Sequence, residues 1–151
     1  MYATILWATD GSPEADGALR EAVQLLEPGG TLVAFHVDEL FIGPRIAGEP
    51  VALDETERQE HIAAQVSDLR SDGVNVNYLV ESTHHDPSHE VATIASKLGV
   101  DAIVCGTTGT HGLNALLRGG SVAGRILKHA AVPVIVVPAK AIVSHPDTAA
   151  V

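Results

Sequence analysis

The spacing of apolar and polar positions changes character several times along this chain. Tyr2 to Ala8 is an apolar run that ends at Thr9-Asp10-Gly11-Ser12-Pro13, and a short buried run of this kind predicts a strand. Ser12 with Pro13 behind it reads as a helix N-cap followed by proline at the first helical position, and Ala15, Ala18, Leu19, Ala22 and Leu26 then recur at helical spacing. Pro28-Gly29-Gly30 closes that helix. Thr31 to Val37 is a second apolar run, which predicts a strand buried on both faces. Asp38 to Leu53 holds Gly43, Pro44, Gly48 and Pro50 without a period and predicts a long mobile loop. Asp54 can cap a second helix with Ile62, Val66 and Leu69 as its apolar stripe and Gly73 at its end.

Beyond Gly73 the period shortens. Val74, Val76, Tyr78 and Val80 alternate with Asn75, Asn77 and Leu79, the pattern of a half-exposed edge strand. Asp86-Pro87 repeats the cap-then-proline device, and Val91, Ile94, Ala95 and Leu98 predict a third helix that stops before Gly99. Ala102 to Cys105 predicts strand four. A glycine-rich loop follows, then a helix from Ser121 to Ala130 with Val122, Ile126, Leu127 and Ala130 inward. Val134 to Val137, between Pro133 and Pro138, predicts strand five. The expected organisation is one domain over residues 1–138 and a loose tail over 139–151. Strands alternating with helices imply an α/β fold: a doubly wound, open parallel sheet with right-handed crossovers. An amphipathic third strand belongs at an edge and apolar first and fourth strands at the centre, so the expected order is 3-2-1-4-5. Ligands of such sheets bind where the order reverses, which here lies between Ala8-Thr9-Asp10 and Gly106.

The loop at that place has its own chemistry. Gly106-Thr107-Thr108-Gly109 through Gly119-Gly120-Ser121 follows an apolar run and leads into a helix. Glycines let backbone N–H groups approach an anion, and a helix N-terminus adds unpaired donors. The chain carries nineteen Asp and Glu against nine Lys and Arg, yet no acid occurs from Ala102 to Pro146, where Arg118, Arg125, Lys128 and Lys140 lie. A phosphate cradle accounts for both features. A mobile loop shaped by its glycines is the plainer alternative.

Composition narrows the classes. With a net charge of -10 and 3% aromatic residues the chain lacks the cations and stacking surfaces of a nucleic-acid binder. The N-terminus has no basic region or cleavage site and no apolar run approaches a bilayer span, so no membrane partner and a cytoplasmic location are expected. The single Cys105 sits within an apolar strand and reads as a buried small hydrophobe. His84, His85 and His89 invite a metal reading. Asp86-Pro87 falls between them, and His85 and His89 then share no helical face, which favours a solvated turn.

Strand one ending in Ala8-Thr9-Asp10-Gly11-Ser12, the Phe35-His36-Val37 end of strand two, the Gly-x-x-Gly loop, Gly120-Ser121 and the closing Val132-Pro133-Val134-Ile135-Val136-Val137 together resemble the universal stress protein family over nearly the entire chain. That resemblance implies a Rossmann-like fold of the adenine nucleotide alpha hydrolase-like kind. In nucleotide-binding members it implies ATP or another adenine nucleotide in the crevice, helped by Mg²⁺. Gly106 and Gly109 would bring amides to the phosphates, and Gly120-Ser121 amides and a hydroxyl to the far phosphate. Ala8, Thr9 and Asp10 would border the nucleoside, and Val37 would offer backbone groups to the adenine edge. Thr107, Thr110, His111 and Val122 complete the candidate set. The family pattern has nine residues between Gly-x-x-Gly and Gly-Ser, whereas this chain has ten before Gly120-Ser121. A monophosphate or cyclic nucleotide is an alternative ligand.

Asp10 has two readings, a ribose contact and a cap for the turn at Gly11-Ser12. Arg118 can serve the phosphates or, like Arg125, be a helix-surface cation. No P-loop pattern, no dinucleotide glycine pattern after strand one and no Ser/His/Asp set at a diagnostic spacing is present. A nucleotide-binding regulatory module with at most slow ATP hydrolysis, and no catalytic residue assigned, is therefore expected. The alternative is a nucleotide-free scaffold of the same fold. Strand five, apolar and at an edge, predicts a homodimer through Val134 to Val137, and the resemblance points the same way.

Overall fold

The computed structural model describes residues 1–40, 51–107 and 121–138. In chain order its elements are β1 (Tyr2–Ala8), α1 (Pro13–Leu25), β2 (Leu26–Glu39), α2 (Val51–Ser71), β3 (Asn75–Thr83), α3 (Pro87–Leu98), β4 (Ala102–Thr107), α4 (Val122–His129) and β5 (Val134–Pro138). The 5 strands form a single parallel sheet in the order β3-β2-β1-β4-β5, as the strand patterns imply. Side chains alternate across the sheet and feed two cores. Ile5, Trp7, Leu32, Ala34 and Val104 meet α1 and α2 on one face, where Ala18, Ala22, Ile62 and Val66 are buried. Leu6, Val33, Phe35 and Ile103 meet Val91 and Ala95 of α3 and Ile126 of α4 on the other.

The helix ends follow their local chemistry. Ser12 Oγ accepts from the Ala15 N–H at 3.3 Å with Pro13 opening α1. Asp86 Oδ1 accepts from the Ser88 N–H at 3.0 Å with Pro87 opening α3. Gly99 ends α3 in the left-handed region at φ 63, a conformation that favours glycine.

Several strand boundaries differ from expectation, each because a distant strand supplies hydrogen bonds that local sequence cannot show. The first helix stops at Leu25, and β2 passes through Pro28-Gly29-Gly30. Leu26 pairs with Tyr2, after which the register shifts so that Thr31 pairs with Thr4. Leu26 is thus buried from the sheet and not from the helix stripe. Asp38 and Glu39 extend β2 because β3 offers Ser82 and Thr83 beside them. Gly106 and Thr107 likewise extend β4 beside Val137 and Pro138. The second helix begins at Val51, ahead of Asp54; residues 41–50 of the expected loop, and the tail from 139, lie outside the described residues. Val122 and Leu127, expected inward, are exposed, because α4 buries the side carrying Ala123, Gly124 and Ile126. Leu98 in the last turn of α3 and Val80 on the edge strand are exposed as well. Among the described residues no helix is long and apolar enough to cross a membrane.

Candidate functional site

β1 and β4 lie side by side, but the chain leaves them in opposite directions. From β1 it passes through α1 on one face toward β2, and from β4 it reaches α4 on the other face before β5. A cleft of ≈ 280 Å³ opens at this divergence. Ala8, Thr9, Asp10, Val37, Gly106, Thr107, Ser121 and Val122 all line it. Gly109, Thr110, His111 and Gly120 of the candidate set lie outside the described residues.

The β1 exit is held as a tight turn. Thr9 is buried; its N–H donates to the Phe35 carbonyl at 3.0 Å, and its Oγ1 accepts from the Gly11 N–H at 3.1 Å. Asp10 is exposed and accepts from the Ser12 N–H through Oδ1 at 2.9 Å, so the capping role proposed for it is present. Gly11 adopts φ 76, where a side chain would be strained and would press on the Arg58 side chain. Across the cleft, Ser121 is the N-cap of α4, its Oγ accepting from the Gly124 N–H at 3.0 Å. Its own O–H remains a donor, and the other first-turn N–H groups of α4 have no partner within the helix.

Gly106 has a packing reason that sequence alone does not disclose. A Cβ there would lie 2.2 Å from the Glu14 carbonyl oxygen, so the first turn of α1 can rest on β4 only over glycine. The Trp7 indole Nε1–H donates to the Ala15 carbonyl at 2.9 Å and fixes the same turn from β1. The cleft wall is therefore set by a backbone-to-backbone approach.

The charge picture differs from the one drawn along the chain. Although residues 102–146 contain no acid, Asp10 after β1, Glu14 of α1 and Glu39 of β2 are among the residues that line the cleft. Arg125, expected as a surface cation, forms an ion pair with Asp86 at 2.9 Å that ties α4 to the start of α3. Partial burial pushes the Asp86 carboxyl up, but hydrogen bonds from Ser88 and the Arg125 guanidinium outweigh it and hold the group below its ordinary value. Cys105 lines the floor; burial pushes its thiol up to about 12, so it stays protonated and non-nucleophilic at neutral pH. His84, His85 and His89 are exposed, and among the described residues no three metal-ligating side chains converge.

Other lining residues escaped the motif reading. Phe35, Pro87, Val91, Ala123 and Ile126 supply apolar wall from three elements. For Val91, Ala123 and Ile126 the sequence signal is core periodicity, for Pro87 a helix start and for Phe35 a strand end, none of which separates a cleft wall from a sealed interior.

Similarity to known proteins agrees with this geometry. A universal stress protein of Methanocaldococcus jannaschii is 32% identical over 143 residues, covering 91% of this chain and 82% of the relative. The crystal structure of a protein of the same family from Burkholderia pseudomallei is 27% identical with TM-score 0.63, covering 91% of this chain and 96% of that one. A family protein from Arabidopsis thaliana, solved with AMP bound, shares the fold at TM-score 0.61 and 16% identity, with 90% of each chain covered. The Universal stress protein family's sequence model matches residues 1–138, the sheet, its crossovers and the switch-point cleft together, and the chain belongs to that family.

Proposed function

We propose that this protein binds an adenine nucleotide in the cleft between β1 and β4 and acts as a regulatory module with at most slow hydrolysis. The observation that carries the reading is the convergence, at one switch point, of eight residues chosen from separate stretches of sequence: Ala8, Thr9, Asp10, Val37, Gly106, Thr107, Ser121 and Val122. In this reading the base and sugar lie against Ala8, Thr9, Asp10 and Val37, on apolar wall from Phe35 and Val91. The phosphates lie toward the start of α4, where amides and the Ser121 hydroxyl face the cleft. Gly109, Thr110, His111 and Gly120 would complete the phosphate end. The Arabidopsis relative carries AMP and a further universal stress protein of this fold is solved with cAMP, which places mononucleotides beside ATP among the ligands to test.

The carboxylates bear on the choice of ion. Mg²⁺ is commonly held by one or two carboxylates together with phosphate oxygens, not by an all-protein cage. Single carboxylates at the rim fit that mode, and their charge would oppose phosphates that arrived without a cation. Asp10 is the first candidate, since its turn role uses Oδ1.

Calorimetric titration of the purified chain with ATP, AMP and cAMP, with and without Mg²⁺, tests the proposal, alongside mass spectrometry of small molecules released on denaturation. Saturable binding weakened by Ser121→Ala supports it. Absence of binding to all three would leave a nucleotide-free scaffold.

We also propose a homodimer through β5. Val134, Ile135 and Val136 stay only half-buried at the sheet edge, beside an outer rank of backbone groups that no strand among the described residues pairs. Light scattering should report about twice the chain mass, and Val136→Lys should lower it.

A further inference from the structure

Thr9 and Val37 wall the cleft, and Thr9 has a further support behind it, from His36 of β2 and Glu55 of α2. His36, between the wall residues Phe35 and Val37, is only 1% exposed. Its Nδ1 is 2.8 Å from the Thr9 carbonyl oxygen, and its Nε2 is 2.6 Å from Glu55 Oε1. A carbonyl oxygen only accepts, so Nδ1 carries a hydrogen. An ionised carboxylate also only accepts, so the second contact needs a further proton, on Nε2 or on Glu55 itself. The Gln59 amide donates to the same Glu55 oxygen at 2.9 Å and fixes that carboxyl from the next turn of α2. The pair therefore holds one proton beyond a neutral imidazole and a carboxylate. Without it, two lone pairs would face each other at 2.6 Å with an unbalanced negative charge beside a buried ring.

We propose that His36 is a positioning residue for the cleft, and that the proton it shares with Glu55 sets the affinity of the nucleotide site. With the proton in place α2 braces the Thr9 carbonyl from behind. Without it the brace opens and the β1 exit turn is left with its bonds to Phe35 and within the turn alone. The affinity claim rests on the nucleotide-binding reading above; the brace does not.

The groups around the pair do not replace it. α2 presents Glu55 and, one turn on, Arg58, whose side chain lies over Gly11. β3 presents Tyr78, two residues before the register partner of His36; its phenol is pushed up by burial and then by the negative charge of Glu55. β1 presents the Thr9 carbonyl, with Asp10 beyond it engaged at Ser12. On α1, Asp16 is taken by His61 at 2.7 Å. Asp38 lies two residues along β2 on the same face. Acidification leaves both hydrogens on His36 and keeps the contact, whereas removal of the shared proton sets two acceptors against each other and breaks it.

Two measurements on the full chain test this. In ¹⁵N NMR of the histidine rings without ligand, His36 Nδ1 should stay protonated while Thr9 and first-turn α2 amide signals shift together with the loss of the pair's proton. A His36 titration that leaves those signals silent, or an unprotonated Nδ1, overturns the brace. The second measurement is AMP affinity across a pH series for wild type and Glu55→Gln. Wild-type affinity should fall by up to about tenfold per pH unit once the proton leaves. Glu55→Gln should lack that fall, because a glutamine amide donates to a neutral Nε2, and comparing the two cancels the titration of the ligand. Parallel profiles overturn the proposal. If neither AMP nor ATP binds at any pH, the nucleotide reading and the affinity claim fail together, and the ring spectra still decide the brace.

Discussion

The two helices on the same face of the sheet are attached by different physics. α1 sits on β1 and β4 through alanines at Ala15, Ala18 and Ala22, a carbonyl resting over Gly106, and the Trp7 indole bound to Ala15. α2 buries Ile62 and Val66, with Leu69 packed beside that core, and is further tied by polar contacts. His36 and Glu55 join it to β2, Asp16 of α1 meets its His61, and Arg70 donates to the Val76 carbonyl at 3.1 and 2.9 Å. Close packing of backbone on backbone is insensitive to pH and intolerant of added volume. Histidine–carboxylate contacts tolerate shape changes and respond to protons. One wall of the cleft is thus sterically fixed, while the support behind its other wall is conditional.

Substitutions should separate the two modes by size and by pH response. The largest effect is expected from Gly106→Val, whose Cβ meets the Glu14 carbonyl at 2.2 Å; denaturant unfolding should show a loss of about 3 kcal/mol, equal at acid and neutral pH. A loss below about 1 kcal/mol would mean that α1 can lift away without cost. Trp7→Phe removes the bond to Ala15 and part of a buried ring, for a loss of about 2 kcal/mol by the same assay.

The Asp86–Arg125 tie on the opposite face provides a contrast in sign. Asp86 is held below its ordinary 3.8 in the folded state, so its contribution is present at neutral pH and lost as pH falls through the depressed value. Asp86→Asn keeps a capping side chain and should cost under about 1 kcal/mol at pH 7, since both side chains are more than a third exposed. Wild type and variant should converge on acidification. Convergence on the alkaline side instead would refute the assignment. The smallest effect belongs to His61→Gln, an exposed pair worth a few tenths of a kcal/mol, about 0.3. A loss comparable to that of Trp7→Phe would show that α2 hangs on this contact more than on its apolar stripe.

Much of the fold was legible because its signals are local. Ser12-Pro13 and Asp86-Pro87 mark helix starts by offering an acceptor and a preset φ, Gly99 marks an end, and the asparagines at 75 and 77 place β3 at an edge. The site was legible in part for the same reason, as β1's turn and the loop after β4 each carry recognisable residues. Less legible was whatever depends on a partner far along the chain. Leu26 looked like the last rung of a helix and became a strand residue when Tyr2 paired with it. The acid-free stretch suggested a cleft without negative charge, and three acidic residues line it from other segments. Val122 and Leu127 fitted a helical stripe that α4 turned outward.

The sequence by itself determined the alternation of strands and helices, and hence a parallel sheet with a reversal between β1 and β4, because periodicity and capping act within a few residues. Only the tertiary structure decided why residue 106 is glycine and what surrounds His36. Those answers depend on atoms contributed by Glu14 and Glu55, whose approach is set by how whole helices dock and leaves no trace in the spacing of residues along the chain.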